Sequence, residues 1–319
     1  MEMQMKYSNV GGQAVIEGVM MRNSDRYAVA VRRPDGEIEI KKDTYEGIVK
    51  SPVLKKTPFL RGVFAFIDSL VLGMSTLSYA ASFYELDEEE LAQKEQMSDE
   101  EKAKNDQKDK IQMTILMIVS LVLAVGIFTM LPYFLAALFR KLTNSAFLIA
   151  LMEGVLRLAI FVGYLLAISC MQDIRRVFMY HGAEHKCINC IEHGMELTVE
   201  NVKKSSREHK RCGTSFLLYV VILSIIIFFF IRVESPVQRI LIRLLLVPVI
   251  AGASYEIIRL AGRGDNALVR AISRPGMWLQ NLTTREPDDD MIEVGIAAVE
   301  SVFDWKKFLE ENFHGGSNA

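Results

Sequence analysis

Four long apolar runs dominate the hydrophobic pattern of the chain, and they occupy residues 111–139, 146–170, 214–231 and 239–258. Each run approaches or exceeds the roughly 20 residues that a helix needs to cross the hydrocarbon core of a bilayer. Short polar links join the first run to the second and the third run to the fourth. The pattern therefore predicts two transmembrane hairpins, at residues 111–170 and 214–258.

The basic residues between the runs predict how these hairpins are oriented. Eight Lys and Arg residues fall in the loop at 171–213, whereas the first hairpin link carries two, Arg140 and Lys141, and the second is flanked by two, Arg232 and Arg239. Because loops rich in Lys and Arg tend to stay on the cytoplasmic side of a membrane, we expect this loop and both termini to be cytoplasmic. The chain is thus predicted to be a multi-pass protein of the cytoplasmic membrane.

The N-terminal residues 1–58 predict a small β-containing cytoplasmic domain. The stretch YAVAVRRPDGEIEIKK is typical of a hairpin, with Gly36 suited to a left-handed turn position. The stretch GGQAVIEGVMMR predicts a further strand. Residues 59–84 instead show a helical apolar stripe. Because a fifth span would place the basic loop outside, we predict that this helix lies in the membrane interface or is partly re-entrant.

Charge distinguishes the remaining segments. Residues 85–110 hold eleven acidic residues and five lysines, a composition that predicts a solvated linker. Residues 259–319 form the predicted cytoplasmic tail, with an amphipathic helix at 288–303. The formal net charge of −2 argues against nucleic acid as a partner. The N-terminus lacks the pattern of a signal peptide, and four cysteines are too few for a disulfide scaffold.

The loop at 171–213 concentrates metal-binding side chains in the stretch YHGAEHKCINCIEHG. On the helix predicted there, His181, Glu184 and His185 fall on one face, because they are separated by three and four residues. Two imidazoles one turn apart can bind the same ion. The spacing His-x-x-Glu-His is also that of the inverted zincins, in which the glutamate acts as the base. The motif is short, so hydrogen-bonded histidines on an ordinary cytoplasmic helix are the alternative.

A second pair of ligand types follows at His209 and Cys212, directly before the third apolar run. If the loop folds back, this pair and the two histidines form a set of three nitrogens and one sulfur, which suits zinc or another borderline divalent ion. Four protein ligands favour a structural metal, whereas three favour catalysis, with Glu184 as the base. The sequence leaves open which of His209 and Cys212 binds.

Other polar residues are also candidates for functional roles. Cys187 and Cys190 form an alternative pair, although only one of them can lie near the histidine face of a helix. Glu153 and Arg157 stand one turn apart inside the second run, where an ionisable pair is either a structural ion pair or part of a transport path. Glu256, at the cytoplasmic end of the fourth run, could support a metal ligand or face solvent.

Several longer motifs together resemble one known family: GGQAVIEGVMMR, FMYHGAEHK, LTVENV, HKRCGTSF and LQNLTTREPDDDMIEVGIAA. They are similar to motifs of the YqhQ-like family of multi-pass bacterial membrane proteins, and the resemblance covers nearly the whole chain. Members of that family are described as predicted metal-dependent enzymes. Cys187 and Cys190 lie outside the family's pattern. The resemblance implies a metal site formed by His181, Glu184, His185, His209 and Cys212.

The predicted fold is that of a membrane α-helical protein, with four transmembrane helices in two hairpins and a small β-containing N-terminal cytoplasmic domain. The predicted function is zinc-type hydrolysis at the cytoplasmic membrane face, with Glu184 as the catalytic residue and with the metal ligands His181, His185, His209 and Cys212. The expected partners are the lipid bilayer and a protein or small-molecule substrate, and the oligomeric state is left open. The alternatives are a scaffold with a structural metal and a transporter.

Overall fold

The computed structural model describes residues 5–84, 99–231, 233, 235–262 and 266–314. Near the N-terminus, four strands form one antiparallel sheet in the order β1-β2-β3-β4. They span Val10–Val15, Gly18–Asn23, Arg26–Arg32 and Ile38–Thr44. Strands that are neighbours in the sequence are also neighbours in the sheet, so short turns suffice to connect them. The prediction of a small N-terminal β unit is confirmed.

Two of the three turns of this sheet differ in how far the sequence predicted them. The hairpin of β3 and β4 is present, and Gly36 takes the left-handed φ of 91°. The prediction of one strand for GGQAVIEGVMMR is wrong, because the chain turns after Val15 and returns as β2. Glu17 takes a φ of 47° in that turn. Its carboxylate accepts hydrogen bonds from Arg176 and, at 3.2 Å, from the Tyr180 hydroxyl, which hold the turn in place.

The described residues also form helices, with lengths from a single turn to seven turns. They are α1 (Pro52–Lys56), α2 (Leu60–Ala81), α3 (Asp99–Val125), α4 (Leu131–Leu138), α5 (Ala146–Ser169), α6 (Gln172–Glu192), α7 (Val199–Lys204), α8 (Gly213–Phe230), α9 (Pro236–Ala261), α10 (Ala267–Thr283), α11 (Asp289–Val302) and α12 (Trp305–Leu309). The amphipathic helix predicted at 288–303 is α11.

Five helical stretches within the described residues are long and apolar enough to cross a membrane: Leu60–Ala81, Ile111–Leu138, Ala146–Ser169, Gly213–Phe230 and Val237–Ala261. Four of them are the predicted transmembrane runs. The fifth is α2, so the predicted count of four is not matched. The physical reason is that the apolar stripe of α2 continues over 22 residues, which as a helix is enough to cross the hydrocarbon core.

The first of the four predicted runs is not one regular helix. A π-helical turn at Gly126–Met130 joins α3 to α4. It ends two residues before Pro132, whose missing N–H disturbs the regular hydrogen-bond pattern. Helix α3 begins at Asp99, so the second part of the predicted linker at 85–110 is helical and continuous with this run. Residues 85–98 of that linker lie outside the described residues.

The sheet lies between two layers of helices because both of its faces are apolar. One face carries Val19 and Met21 and shares a core with α6 and α11. The opposite face carries Met20, which packs with Leu72 and Ala80 in the second half of α2. The N-terminal sheet, the middle loop and the tail therefore form one folded unit. This unit stands at the ends of the membrane-length helices, where α5 finishes and α8 begins.

Candidate metal centre

Helix α6 places His181, Glu184 and His185 on one face, as their spacing predicts. Each imidazole uses Nδ1 for a hydrogen bond to a main-chain oxygen. Nδ1 of His181 lies 2.8 Å from the main-chain oxygen of Thr283, and Nδ1 of His185 lies 2.7 Å from that of Arg207. When a metal displaces the second ring proton, an imidazole that donates from Nδ1 presents the lone pair of Nε2 to that metal. Both histidines are therefore oriented as metal-binding histidines usually are.

Cys212, the residue that caps the N-terminus of α8, brings the third ligand. Its Sγ lies 3.2 Å from His181 Nε2 and 3.0 Å from Thr214 Oγ1. The ligand atoms of His181, His185 and Cys212 all lie within 4.8 Å of one another. Zinc bonds of about 2.0 Å to nitrogen and about 2.3 Å to sulfur would need only small movements of these side chains.

The charges in this cluster depend on one another. Burial lowers the pKa of His181, but the Cys212 thiolate and the Glu184 carboxylate outweigh burial and raise that pKa to about 9. Burial raises the pKa of Cys212, but His181 and His185 outweigh it and hold that pKa well below its usual range. Because cysteine binds metals as a thiolate, the cluster offers its sulfur in the form that a metal requires.

Glu184 is buried beside the cluster and faces strand β1. Burial raises the pKa of its carboxyl group, although His181 and His185 act in the opposite direction. The main-chain N–H of Gly12 donates a hydrogen bond to this carboxylate. A Cβ at residue 12 would come within 3.0 Å of Glu184 Cγ and 2.6 Å of the Met20 oxygen. Glycine at residue 12 thus allows the strand to approach the carboxylate closely.

His209 lies next to the cluster, but its ring is directed elsewhere. Its ring centre is 5.7 Å from that of His185, and its Nε2 is 3.4 Å from the Glu192 carboxylate. The side-chain amide of Gln280 pairs with the main-chain N–H and oxygen of His209, each at 2.8 Å. Of the four metal ligands predicted from the sequence, the structure brings His181, His185 and Cys212 together and does not bring His209 to the same point.

Glu192 is the carboxylate that His209 contacts, and it is fully buried. It accepts hydrogen bonds from the main-chain N–H and the hydroxyl of Ser8, both at 2.8 Å, and it forms an ion pair with Arg211. Burial raises the pKa of its carboxyl group, but His209 and Arg211 outweigh burial and lower that pKa below its usual value. This network joins the N-terminal segment to the end of α6.

Two more residues of α6 hold the segment 203–208, which carries the main-chain partner of His185. Lys186 Nζ donates to two main-chain oxygens of this segment, each at 2.9 Å. Asn189 Nδ2 donates to two further oxygens at 2.6 and 2.9 Å. The sequence analysis missed both residues, although Lys186, Asn189 and Glu192 are three residues apart and therefore share a helix face. Gln280 had no such signal, because its partner is far away in the sequence.

The alternative cysteine pair lies in the core. Cys187 and Cys190 are buried free thiols that pack among apolar residues of the core between α6, α11 and the sheet. Burial raises the pKa of Cys187 well above its usual value and that of Cys190 to about 11. Buried, protonated thiols behave as small apolar side chains. Neither cysteine belongs to the cluster around His181.

A second charged cluster lies among the membrane-length helices. One carboxylate oxygen of Glu153 accepts a hydrogen bond from Arg157 at 2.7 Å, and the other accepts one from Arg243 at 2.8 Å. Arg157 also donates to the Ser224 hydroxyl and to the main-chain oxygen of Phe128, both at 3.2 Å. The ionisable pair noted in the sequence is thus part of a three-residue ion cluster. Its use in transport stays a prediction.

Comparisons with known proteins identify the family. The family model described as "Protein of unknown function (DUF1385)" matches residues 57–305. The chain belongs to this family. The "Uncharacterized protein YqhQ" of Bacillus subtilis (strain 168) is 35% identical over 303 residues, which cover 95% of this chain and 94% of the relative. No solved structure matches the chain significantly. The family resemblance of the sequence motifs is confirmed, and the chemistry of the site rests on the geometry described above.

Proposed function

We propose that this protein is a metal-dependent enzyme of the hydrolase type, which acts at the cytoplasmic face of the membrane. The observation that carries this proposal is the convergence of His181, His185 and Cys212 beside the buried carboxylate of Glu184. Three protein ligands leave one position of a tetrahedral ion open, and an open position is typical of catalytic zinc sites. The substrate would be a protein or a small molecule.

The three ligands fit zinc or another borderline divalent ion. Two imidazole nitrogens and one thiolate are among the ligands that zinc prefers. The hydrogen bonds from both Nδ1 atoms to main-chain oxygens fix the direction of each Nε2. An ion bound here would supply Lewis-acid polarisation and would lower the pKa of water.

Glu184 would carry the proton that hydrolysis has to move. It lies on the same helix face as His181 and directly precedes His185 in the chain. The hydrogen bond from the Gly12 N–H holds the carboxylate in place. A carboxylate in this position can take a proton from a nucleophile and return it to a leaving group.

We further propose that four of the five apolar helices cross the membrane and that α2 lies at the cytoplasmic surface. The first half of α2 packs beside α9, where Gly62 is close to Tyr255 and Arg61 pairs with Glu256. The second half covers the sheet, beginning at Leu72. The part of α2 before Leu72 has about 12 residues, which is fewer than the roughly 20 that a span requires.

This arrangement predicts that both termini and the metal centre are on the cytoplasmic side of the bacterial plasma membrane, because the basic residues of the loop at 171–213 favour that side. Reporter fusions after residues 142, 195, 235 and 315 test it. Fusions after 195 and 315 should report a cytoplasmic position, and those after 142 and 235 an external one. An external position at 195 would contradict both the four-span arrangement and the cytoplasmic site.

A structural metal is the second candidate function, and one observation favours it. The cluster connects α6 with the start of α8, and its histidines are anchored on Thr283 and Arg207 from two further segments. A metal that also bound His209 would have four protein ligands, which is typical of structural sites. It would then stabilise this junction, and the protein would act as an assembly or scaffold factor.

The variant Glu184→Gln distinguishes the two functions, because it removes the base and leaves the three metal ligands. If the protein is an enzyme, this variant should fail to complement a deletion strain, while its abundance and metal content stay normal. Glu196→Gln, which changes an exposed carboxylate of the same loop, is the matched control and should complement. Full complementation by Glu184→Gln would contradict the enzyme hypothesis and leave the structural metal as the explanation.

A further inference from the structure

A cavity of about 350 Å³ lies beside the edge strand β1, on the face of the sheet opposite to the metal centre. It is bounded by β1, β2 and α2. Its floor is apolar, since Met20 and Leu72 belong to the core between the sheet and α2. Its remaining side chains are mostly uncharged and polar: Asn9, Gln13, Ser24 and Ser69. The cavity is therefore amphipathic, with hydrogen-bonding groups above an apolar base.

Arg22 is the cationic residue among those that line this cavity. Its Nε donates to the main-chain oxygen of Ser24 at 2.7 Å, and its Nη2 donates to that of Tyr45 at 3.2 Å. Both of these partners are neutral. Within the described part of the chain, no carboxylate forms an ion pair with Arg22. The cavity thus presents a positive charge that the fold positions but does not neutralise.

The backbone around the cavity is unusual in two ways. Asn9 and Ser24 have φ angles of 57° and 61°, in the left-handed region that residues other than glycine rarely adopt. Such conformations persist where the surrounding structure enforces them, and they are frequent at binding sites. Gly11 belongs to β1, and a Cβ at that residue would meet no atom within 4 Å. The missing side chain at residue 11 therefore keeps the cavity open.

The cavity also lies near the membrane-length helices. Ser69 is about one helical turn beyond Phe66 on α2, and the Phe66 ring centre lies 5.3 Å from that of Phe216. Phe216 belongs to the first turn of α8, which is apolar enough to cross a membrane. A molecule at the bilayer surface is thus within easy reach of the cavity.

We propose that this cavity binds an anionic phosphate ester, with its phosphate on Arg22 and an uncharged part above Met20 and Leu72. A guanidinium binds phosphate through charge-assisted hydrogen bonds, and the side chains of Gln13 and Ser69 supply further donors. The ester is either the headgroup of an anionic lipid or a soluble molecule, and the position of the cavity favours the lipid. This site goes beyond the metal centre, because its side chains lie on the other face of the sheet; of the described residues, the two sites share only the backbone of Gly12, which borders the cavity and binds Glu184.

Hydrogen–deuterium exchange of the full-length protein in nanodiscs tests the proposal, with residues 9–13 and 69–72 as the reporters. Three conditions are compared: phosphatidylcholine alone, phosphatidylcholine with phosphatidylglycerol, and phosphatidylcholine with added glycerol 3-phosphate. Phosphatidylglycerol should slow exchange in both reporter segments. Slower exchange with glycerol 3-phosphate but not with phosphatidylglycerol would assign the site to a soluble ester. If neither compound slows exchange, the proposal is wrong.

Two variants test whether any protection from exchange arises from binding in the cavity. Arg22→Gln should weaken binding about tenfold, because it removes the charge-assisted hydrogen bonds. Gly11→Leu should abolish protection by filling the cavity, and it retains Arg22. Arg26→Gln, exposed on the next strand, and Gly163→Leu, at another glycine with open space, are the controls. A monodisperse profile in size-exclusion chromatography and an unchanged midpoint of thermal unfolding show that each variant is folded. Undiminished protection in both test variants would overturn the proposal.

Discussion

Two clusters of buried charge in this protein are built in opposite ways. In the membrane cluster, both carboxylate oxygens of Glu153 are bound by the guanidinium groups of Arg157 and Arg243. In the metal centre, the Nδ1 atoms of His181 and His185 are bound by main-chain oxygens, and their remaining ligand atoms converge with a thiolate. Burial of charge is common to both. What distinguishes a candidate functional site is a set of ligand atoms that the fold orients toward one point.

The two clusters also differ in how their positive and negative charges are balanced. The membrane cluster contains two arginines for one carboxylate, and aromatic rings face the excess charge: Arg243 lies 4.9 Å from the ring centres of both Tyr133 and Phe228. Cation–π contacts of this kind stabilise a desolvated guanidinium. The metal centre instead places a thiolate and a carboxylate beside two imidazoles, and this arrangement suits an added cation. The first cluster should therefore respond to mutation through stability, and the second through metal binding.

The largest expected effect is the loss of metal from histidine variants. His181→Ala and His185→Ala each remove one of three ligands, so purified protein should fall from about one divalent ion per chain to essentially none. The measurement is elemental analysis of protein purified in detergent and dialysed against metal-free buffer. His193→Ala, which changes an exposed histidine just after the same helix, is the control. Normal metal content in both test variants would show that these histidines are packing residues.

The next largest effect should come from the membrane cluster, and it should be an effect on stability alone. Glu153→Gln leaves two buried guanidiniums without their carboxylate, and breaking a buried ion pair in this way costs about 3–5 kcal/mol. Thermal or denaturant unfolding in detergent measures the loss, and the fraction that stays folded should keep its metal. Glu200→Gln, which changes an exposed pair with Lys204, should be close to neutral. Equal stability of the two variants would contradict this account of the membrane cluster.

The contrast between the clusters also explains how much the sequence could predict. The helical spacing of His181, Glu184 and His185 was sufficient to place these residues on one face, because periodicity within one helix is a local property. Cys212 could be proposed only as one of two options, since its position depends on how the loop returns to α6. Arg243 was visible as a charge within an apolar run, but its contact with Glu153 connects two helices 90 residues apart.

The boundaries of the strands and helices show the same limit of what the sequence can predict. The stretch GGQAVIEGVMMR holds two short apolar runs, Ala14–Ile16 and Val19–Met21, on either side of Glu17 and Gly18. Two residues between two runs fit a bulge in one strand as well as a turn between two strands, so the sequence alone does not show that the chain turns after Val15. In the same way, the apolar stripe of α2 is long enough for a membrane span, and the sequence does not show that it contacts α9 in its first half and the sheet in its second half. Sequence periodicity shows that a face will be buried. It does not show what will cover that face, because the covering residues come from distant parts of the chain.

Among the variants of the metal centre, His209→Ala should have the smallest effect on metal content. It also tests whether the site has three or four protein ligands. In the structure, His209 directs Nε2 to Glu192, and Gln280 holds its main chain. If this arrangement persists with metal bound, His209→Ala should keep about one ion per chain, with an affinity no more than roughly tenfold lower. Chelator competition measures that affinity, and Cys212→Ala, which should lose the ion, is the matched control. If His209→Ala loses the ion as completely as Cys212→Ala, the site has four protein ligands and no open position. The metal centre would then stabilise the fold, which is the role that we also predict for the ion cluster of Glu153.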